Sequence, residues 1–380
     1  MGEIMNKKIT TWEAACIITG YGIGGGVLAM PYLAEKNGII LAVAILLVAY
    51  FASIILHMMI ADVVLKCGPG TQVVTVFSRF MFRGKLKTFL TIVFFGLMAI
   101  VLCANLAAYV AGAAEVMAGI LGIGTLACTI IFYAVAASVV LFGLKAVAVS
   151  EKIMIAVIFG MIAVLAVFSV INAQHALPIA AGSLKDGLAY YGMAMLAFSA
   201  FFSVPQAVEG LDGDVKEIKK AVVLGITNNL IIILIVIFCS LIASTEVTEV
   251  GMVGWSKGIG TWAQVVGGVF TLVAMLTTYW SISLALGDIV KEQLNWNSKI
   301  CWIVATLPSL IIALFNLGDF LDYLQIAGGA IAIIIALLFV PCYRNANKEI
   351  PQSMLGKFSG TAVQIFVIIA YIFMGIGNVI

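Results

Sequence analysis

Apolar runs long enough to cross a bilayer recur along the whole chain, and no polar stretch between them is large enough to fold by itself. A helix needs roughly 20 apolar residues to traverse the hydrocarbon core. Hydropathy, with glycine, proline and charge as punctuation, predicts spans at 12–34, 38–65, 89–119, 125–144, 153–172, 188–208, 221–243, 261–286, 300–315, 320–342 and 361–379, eleven in all. Only 10% of the 380 residues are charged, against about 25% in soluble domains. A water-soluble fold has too little polar surface to cover the remainder, so the expectation is an all-α protein embedded in the membrane.

Charge placement tests the count. With the N-terminus in the cytoplasm, only Lys36, Lys185 and Lys257 fall outside, and the inner segments keep the other 17 of the 20 Lys and Arg. That division meets the positive-inside rule along the whole chain, and a wrong count would scramble it. The least marked turn is 119–124, where Gly119, Gly122 and Gly124 are the only interruption of a very long apolar run. Lys7 and Lys8 precede an apolar stretch, which reads as a retained first helix rather than a cleaved signal. The seven cysteines fall within spans or at their inner ends, so no disulfide framework is expected. Two segments between spans can carry structure: 71–82, an amphipathic stretch followed by basic residues, and 244–260, long enough for a partial lid around Trp255. Ordinary loops are the alternative for both.

Inside hydrocarbon every backbone N–H and C=O needs a partner, so a segment that resists helix at mid-depth must line a cavity or be buried in protein. The first span contains one: residues 20–26 hold five glycines, and Pro31 follows. Each glycine costs about 1 kcal/mol relative to alanine in a helix interior, so the cluster favours unwinding over the alternative of close packing through Gly22 and Gly26. In the sixth span Pro205 removes the N–H that would bond near Phe201, and Ser199 and Ser203 can satisfy the groups it frees. Five is an odd number, so a repeat of five helices restarts from the opposite side of the membrane. Interrupted helices at matching places in two inverted halves point to a transporter site at the midplane. The expected organisation is a single transporter domain over 1–380, with a first repeat at 12–172, a second at 187–342, and a last helix at 359–380. A half-helix beginning after Gly22 offers unpaired N–H groups to a carboxylate, and the carbonyls ending the half before it suit a cation or an ammonium group.

At these residues the chain resembles the amino acid/auxin permease family, including its bacterial aromatic amino acid permease relatives, within the amino acid–polyamine–organocation superfamily. The resemblance lies in Ile17-Ile-Thr-Gly-Tyr-Gly-Ile-Gly-Gly-Gly-Val-Leu-Ala-Met-Pro31, in Ala108-Tyr-Val-Ala-Gly112, in the run from Asp212 to Gly225 and in the run from Leu276 to Asp288. It implies the leucine-transporter-type 5+5 inverted repeat, with the first and sixth helices broken and an eleventh added. It also implies that Tyr21, Gly22, Ile23, Gly24 and Gly25 present amides to a substrate carboxylate, that Phe198, Ser199 and Phe201 line the opposite wall, and that Tyr109 reaches in from the third helix. A candidate sodium site would use Thr19, Gly22, Thr277 and Thr278. Ordinary aromatic packing and threonines bonded back to their own helix are the alternatives. Some sodium-coupled relatives carry Asn where this chain has Cys16, and the bacterial aromatic permeases resemble proton symporters, so sodium and proton both stay open as the coupling ion.

Ionisable residues within or beside the spans are few. Asp62, Glu209 and Asp288 lie near inner ends, where a hydrated or gating role fits; Glu115 and His57 are candidates for a coupled proton, against a satisfied polar contact. The chain lacks the histidine or Ser/His/Asp groupings of an embedded enzyme and the charge rings or filter loop of a channel. The expected function is therefore a cation-coupled amino acid symporter of the cytoplasmic membrane. An uncoupled exchanger or a nutrient sensor on the same fold is the alternative. Its partners are an amino acid and the bilayer, with no nucleic acid and no cofactor beyond the coupling ion.

Overall fold

The computed structural model describes residues 8–315, 328–331, 334 and 338–379. Lys7 and most of the tenth predicted span, 320–342, lie outside the described residues.

Every regular element among the described residues is a helix. α1 (Thr11–Gly22) opens with a capping box, in which the Thr10 side chain accepts from the Glu13 amide and the Glu13 carboxylate accepts from the Thr10 amide. It stops at Gly22, and α2 (Gly25–Asn37) restarts bent away by 59°. The first span is thus two half-helices, broken within the glycine cluster. α3 (Ile39–Cys67) follows, then α4 (Val73–Phe80), whose buried Val74, Val76, Phe77 and Phe80 pack toward α5 (Lys87–Leu121). The amphipathic segment is a helix, and its apolar side faces protein. α5 ends on Gly122, whose φ of 67° makes the left-handed cap that glycine adopts without penalty. The poorly marked turn therefore lies where the glycines put it, before α6 (Thr125–Val140).

α7 (Leu144–Ile171) differs from its predicted limits. It begins directly after Gly143, at φ 78°, because Val147, Ala148, Glu151 and Ile155 form one buried face at helical spacing. Lys145 and Lys152, expected in a connecting segment, stand on this helix.

The sixth predicted span is again two pieces: α8 (Leu184–Ala197) and α9 (Ser203–Gly210), separated by non-helical 198–202. Pro205 lies in the first turn of α9, where the missing N–H forfeits no helical bond. α10 (Val215–Ala243), α11 (Gly251–Ile259), α12 (Thr261–Leu294), α13 (Ser298–Leu314), α14 (Val340–Glu349) and α15 (Thr361–Gly377) complete the described chain. In α11 the Trp255 ring is fully buried, and its Nε1–H donates to Ser169 Oγ at 2.6 Å.

Among the described residues five helices, α3, α5, α7, α10 and α12, are long and apolar enough to cross a membrane; the bent α1–α2 pair adds a sixth, and α6, α13 and α15 are shorter apolar helices. The packing is reciprocal. α1 and α2 lie on α10, the helix after the second break, while α8 and α9 lie on α3, the helix after the first. α12 is the axis of the bundle, with 78% of its most apolar stretch buried against 28% for α7. The outer helices show apolar side chains to the surroundings, among them Ile40, Ile100 and Val170 at 70% exposure or more. Such a belt fits lipid.

Candidate functional site: two broken helices

At the first break the last turn of α1 is bonded laterally. Thr278 Oγ1 lies 2.9 Å from the Gly20 carbonyl and 3.0 Å from Ala274 O on its own helix, whereas Thr277 Oγ1 is 3.4 Å from Gly20 O and nearer its own helix, 2.9 Å from Ala274 O. Thr19 Oγ1 is within 2.8 Å of Ala15 O and 3.2 Å of Gly225 O, and it accepts from Asn228 Nδ2 at 3.2 Å. The threonine pair therefore converges on Gly20 O rather than on Thr19 or Gly22.

The start of α2 faces Tyr109, whose hydroxyl lines the cavity beside Gly24 and Gly25, with Thr278 Oγ1 close to Gly24 as well. The approach requires glycine at 24: a Cβ there would stand 2.4 Å from the Tyr109 oxygen. Glycine is also required at 26, where a Cβ would meet the backbone of Ala197 at 2.9 Å. The two breaks therefore touch through backbone.

At the second break the freed groups have side-chain partners. Ser199 Oγ donates to Met195 O at 3.0 Å and Ser203 Oγ to Ala200 O at 2.8 Å. The Ala200 N–H is capped from α3 by His57 Nε2 at 2.9 Å. His57 Nδ1 lies 2.6 Å from the Ser53 carbonyl and so must donate, which leaves Nε2 as the acceptor. The ring is a neutral imidazole with both nitrogens engaged, stacked at 5.2 Å on Phe201.

Between the breaks lies a cavity of about 20 Å³, lined by Tyr21, Gly22, Gly24, Gly25, Gly26, Asn105, Tyr109, Leu196, Ser199 and Ile331. That is room on the scale of one water. Beside it, sharing Ile331, is a wholly apolar cavity of about 30 Å³ lined by Phe201, Phe202, Phe77, Met98 and other apolar side chains. Tyr21, Gly22, Gly24, Gly25, Tyr109 and Ser199 thus come together around one space. Phe201 faces the apolar neighbour, Phe198 packs against Tyr50 with ring centres 6.0 Å apart, and Ile23 is buried away from both cavities. Larger spaces lie beyond. One of about 340 Å³ is lined by Lys8, Lys145, Glu209, Asp288 and Lys291, and another of about 280 Å³ by Ser256, Lys257 and Gln264.

The profile of the tryptophan/tyrosine permease family matches residues 7–378. The chain belongs to that family. The permease is also 20% identical, over 89% of its length and 88% of the relative's, to glutamine transporter 2 of Aliivibrio fischeri. Among solved structures it is similar to MhsT in complex with L-phenylalanine, with a TM-score of 0.64, 15% identity, and coverage of 97% of this chain and 98% of that one. It is similar as well to Mhp1, a nucleobase-cation-symport-1 family transporter in a closed conformation with bromovinylhydantoin bound (0.66, 14%, 98% and 91%). A manganese transporter of Eremococcus coleocola gives 0.67, 13%, 100% and 87%. These likenesses establish the fold, that of the leucine-transporter group. The permease is a multi-pass membrane transporter and not an enzyme.

Several polar residues that sequence reasoning missed crowd the permease's first break. Glu151 is fully buried beside Gly20, where a Cβ would stand 1.9 Å from its Oε2. Asn229 is fully buried beside Gly22, and a Cβ there would stand 2.0 Å from its Nδ2. Asn105 joins the cavity wall, and Gln206 donates to Ser281 O at 3.1 Å. The signal was a single polar letter in an apolar run, weak alone but informative once paired with a glycine. Of the ionisable residues singled out beforehand, Glu115 is exposed, Glu209 pairs with Lys8 at 2.5 Å, and Asp62 pairs with Lys66 at 3.2 Å and accepts from Ser353 and the Met354 amide. Asp288 lines the 340 Å³ space.

Proposed function

We propose that this permease is a secondary active amino acid transporter. It is a cation-coupled symporter working by alternating access, and it holds its substrate zwitterion at the two breaks. The observation that carries the reading is the Tyr109 hydroxyl brought against the start of α2, where a Cβ on Gly24 would stand 2.4 Å from its oxygen. An acceptor oxygen already occupies the place that a carboxylate oxygen would take with greater strength, at the positive end of a helix. Tyr109 then turns to donate to that carboxylate. The ammonium group lies toward the carbonyl ends of α1 and α8.

The substrate is a large apolar amino acid, with tryptophan and tyrosine the first candidates. Support comes from the phenylalanine-lined cavity that shares Ile331 with the polar one and from the family description. Both cavities must widen and merge to admit it, which fits a cycle in which the centre closes between larger spaces on either side. In this reading the chain crosses the cytoplasmic membrane eleven times, with the N-terminus inside. Inverted repeats occupy 12–172 and 187–342, and 359–380 is added. The reciprocal packing of the broken spans supports the repeats, as do α4 and α11, which follow the second helix of each half. The wider placement among the amino acid/auxin permeases rests on the motifs quoted above. A coupling sodium would draw on Thr19, Gly22, Thr277 and Thr278; a proton is the other cation.

Uptake of labelled amino acids into proteoliposomes, under sodium and pH gradients imposed one at a time, tests the class. Accumulation under one of them is expected, and none under either would end the symporter reading. Competition by each of the twenty amino acids then reads the side-chain preference. Gly24→Val should abolish binding while the protein still inserts, because the new side chain collides with Tyr109; unchanged affinity would exclude the carboxylate cradle.

A further inference from the structure

Glu151 lies wholly inside the bundle, beside the last turn of α1. Its Oε1 takes the Ser281 hydroxyl at 2.9 Å, and among the described residues Oε2 has no hydrogen-bond partner. The nearest lysines along α7, Lys145 and Lys152, are both held by Glu13, at 2.8 and 2.9 Å. The carbonyls ending α1 make this the negative pole of that helix, and one of them, Gly20 O, lies 2.9 Å from Thr278 Oγ1. An ionised carboxylate packed here would lose its hydration and have no cation in contact. The neutral acid avoids both penalties. On α1 the titratable groups on the side of Gly20 are the Cys16 thiol, one turn before it, and Glu13, which holds Lys145 and Lys152 of α7. α12 supplies Ser281, whose hydroxyl donates to Oε1. The chain keeps this arrangement by having glycine at position 20, the one residue type that leaves space for Oε2.

Resting on the transport reading above, we propose that Glu151 is the residue that carries the coupling proton. Protonation of the carboxylate gives the neutral acid that packs against Gly20 when α1 is closed on α7. When α1 tilts away, water reaches the carboxyl from the charge-lined space, and the proton leaves to it as hydronium. The charge on one side chain is thereby tied to the position of the half-helix that ends at the substrate. The Thr277 and Thr278 hydroxyls reach the Gly20 carbonyl and so tie the last turn of α1 to α12 beside Glu151.

The test compares the full-length wild type with Glu151→Gln in proteoliposomes, using a labelled mixture of the twenty amino acids as probe. Wild type should accumulate label under a pH gradient and not under a sodium gradient at equal pH. Glu151→Gln should lose at least about tenfold of that accumulation, while exchange between amino acid-loaded compartments, which moves no net proton, persists. Accumulation by Glu151→Gln equal to wild type, or wild-type accumulation driven by sodium alone, overturns the proton carrier and leaves the transporter standing. No wild-type accumulation under either gradient ends the transport reading and the carrier with it. If Glu151→Gln does not fold, the infrared carbonyl band of a buried carboxylic acid decides: it should appear in purified wild type and shift in Glu151→Asp. An unshifted band overturns the proposal.

Discussion

His57 shows how far one side chain can determine a local structure in this protein. Its Nε2 accepts from the Ala200 amide that the second break has set loose inside the bundle, and its ring lies flat on the Phe201 of that same break. His57→Ala should cost about 1–3 kcal/mol, the usual penalty for a buried donor left without an acceptor; detergent melting with and without substrate measures it. At Gly26 the opposing atoms are backbone, which cannot step aside as a side chain would. Gly26→Ala is expected to destabilise by about 1–3 kcal/mol through overpacking and to weaken substrate binding, read by the same melts and by a binding titration. Glu151 and Asn229 were hidden in the sequence for a definite reason. Each is a polar residue on a helix whose apolar neighbours carry the local pattern, and each becomes meaningful only beside a glycine far away in the chain, Gly20 for one and Gly22 for the other.

Among the elements, both breaks could be read from composition, because glycine and proline act locally and a membrane removes the water that would otherwise forgive an unbonded backbone. Segment 198–202 unwinds ahead of Pro205, which needs only the short-range exclusion of helix that proline imposes. The limits of α7 were not legible in the same way. Its first two turns are fixed by burial against α1, a tertiary contact that a hydropathy window does not contain. For the same reason Phe198 and Phe201 were assigned to the cavity by resemblance alone, and the structure turns them toward Tyr50 and His57. The amino end of α1 is secured by its capping box, so Thr10→Ala should lower stability by about 0.5–2 kcal/mol, again measured by melting.

For the molecule as a whole, one end of α1 is tied to three other helices. Glu13 holds Lys145 and Lys152 of α7, Lys8 holds Glu209 of α9, and the Thr11 hydroxyl donates to Glu217 of α10. Releasing the first of these should favour conformations open at that end. In a variant whose only cysteine is Cys16, buried one turn above Glu13, Glu13→Gln should raise the rate of maleimide labelling about tenfold; an unchanged rate would mean that the pairs do not latch the bundle. At the opposite end of the chain, α15 approaches α8 so closely that a Cβ on Gly377 would stand 2.1 Å from Leu188 O, and one on Gly192 2.7 Å from the Gly377 carbonyl carbon. A door turns only because one leaf of its hinge is screwed to the frame. The terminal helix is that screw for α8, so a chain cut short before Thr361 would lose the fixed leaf against which the rest must swing.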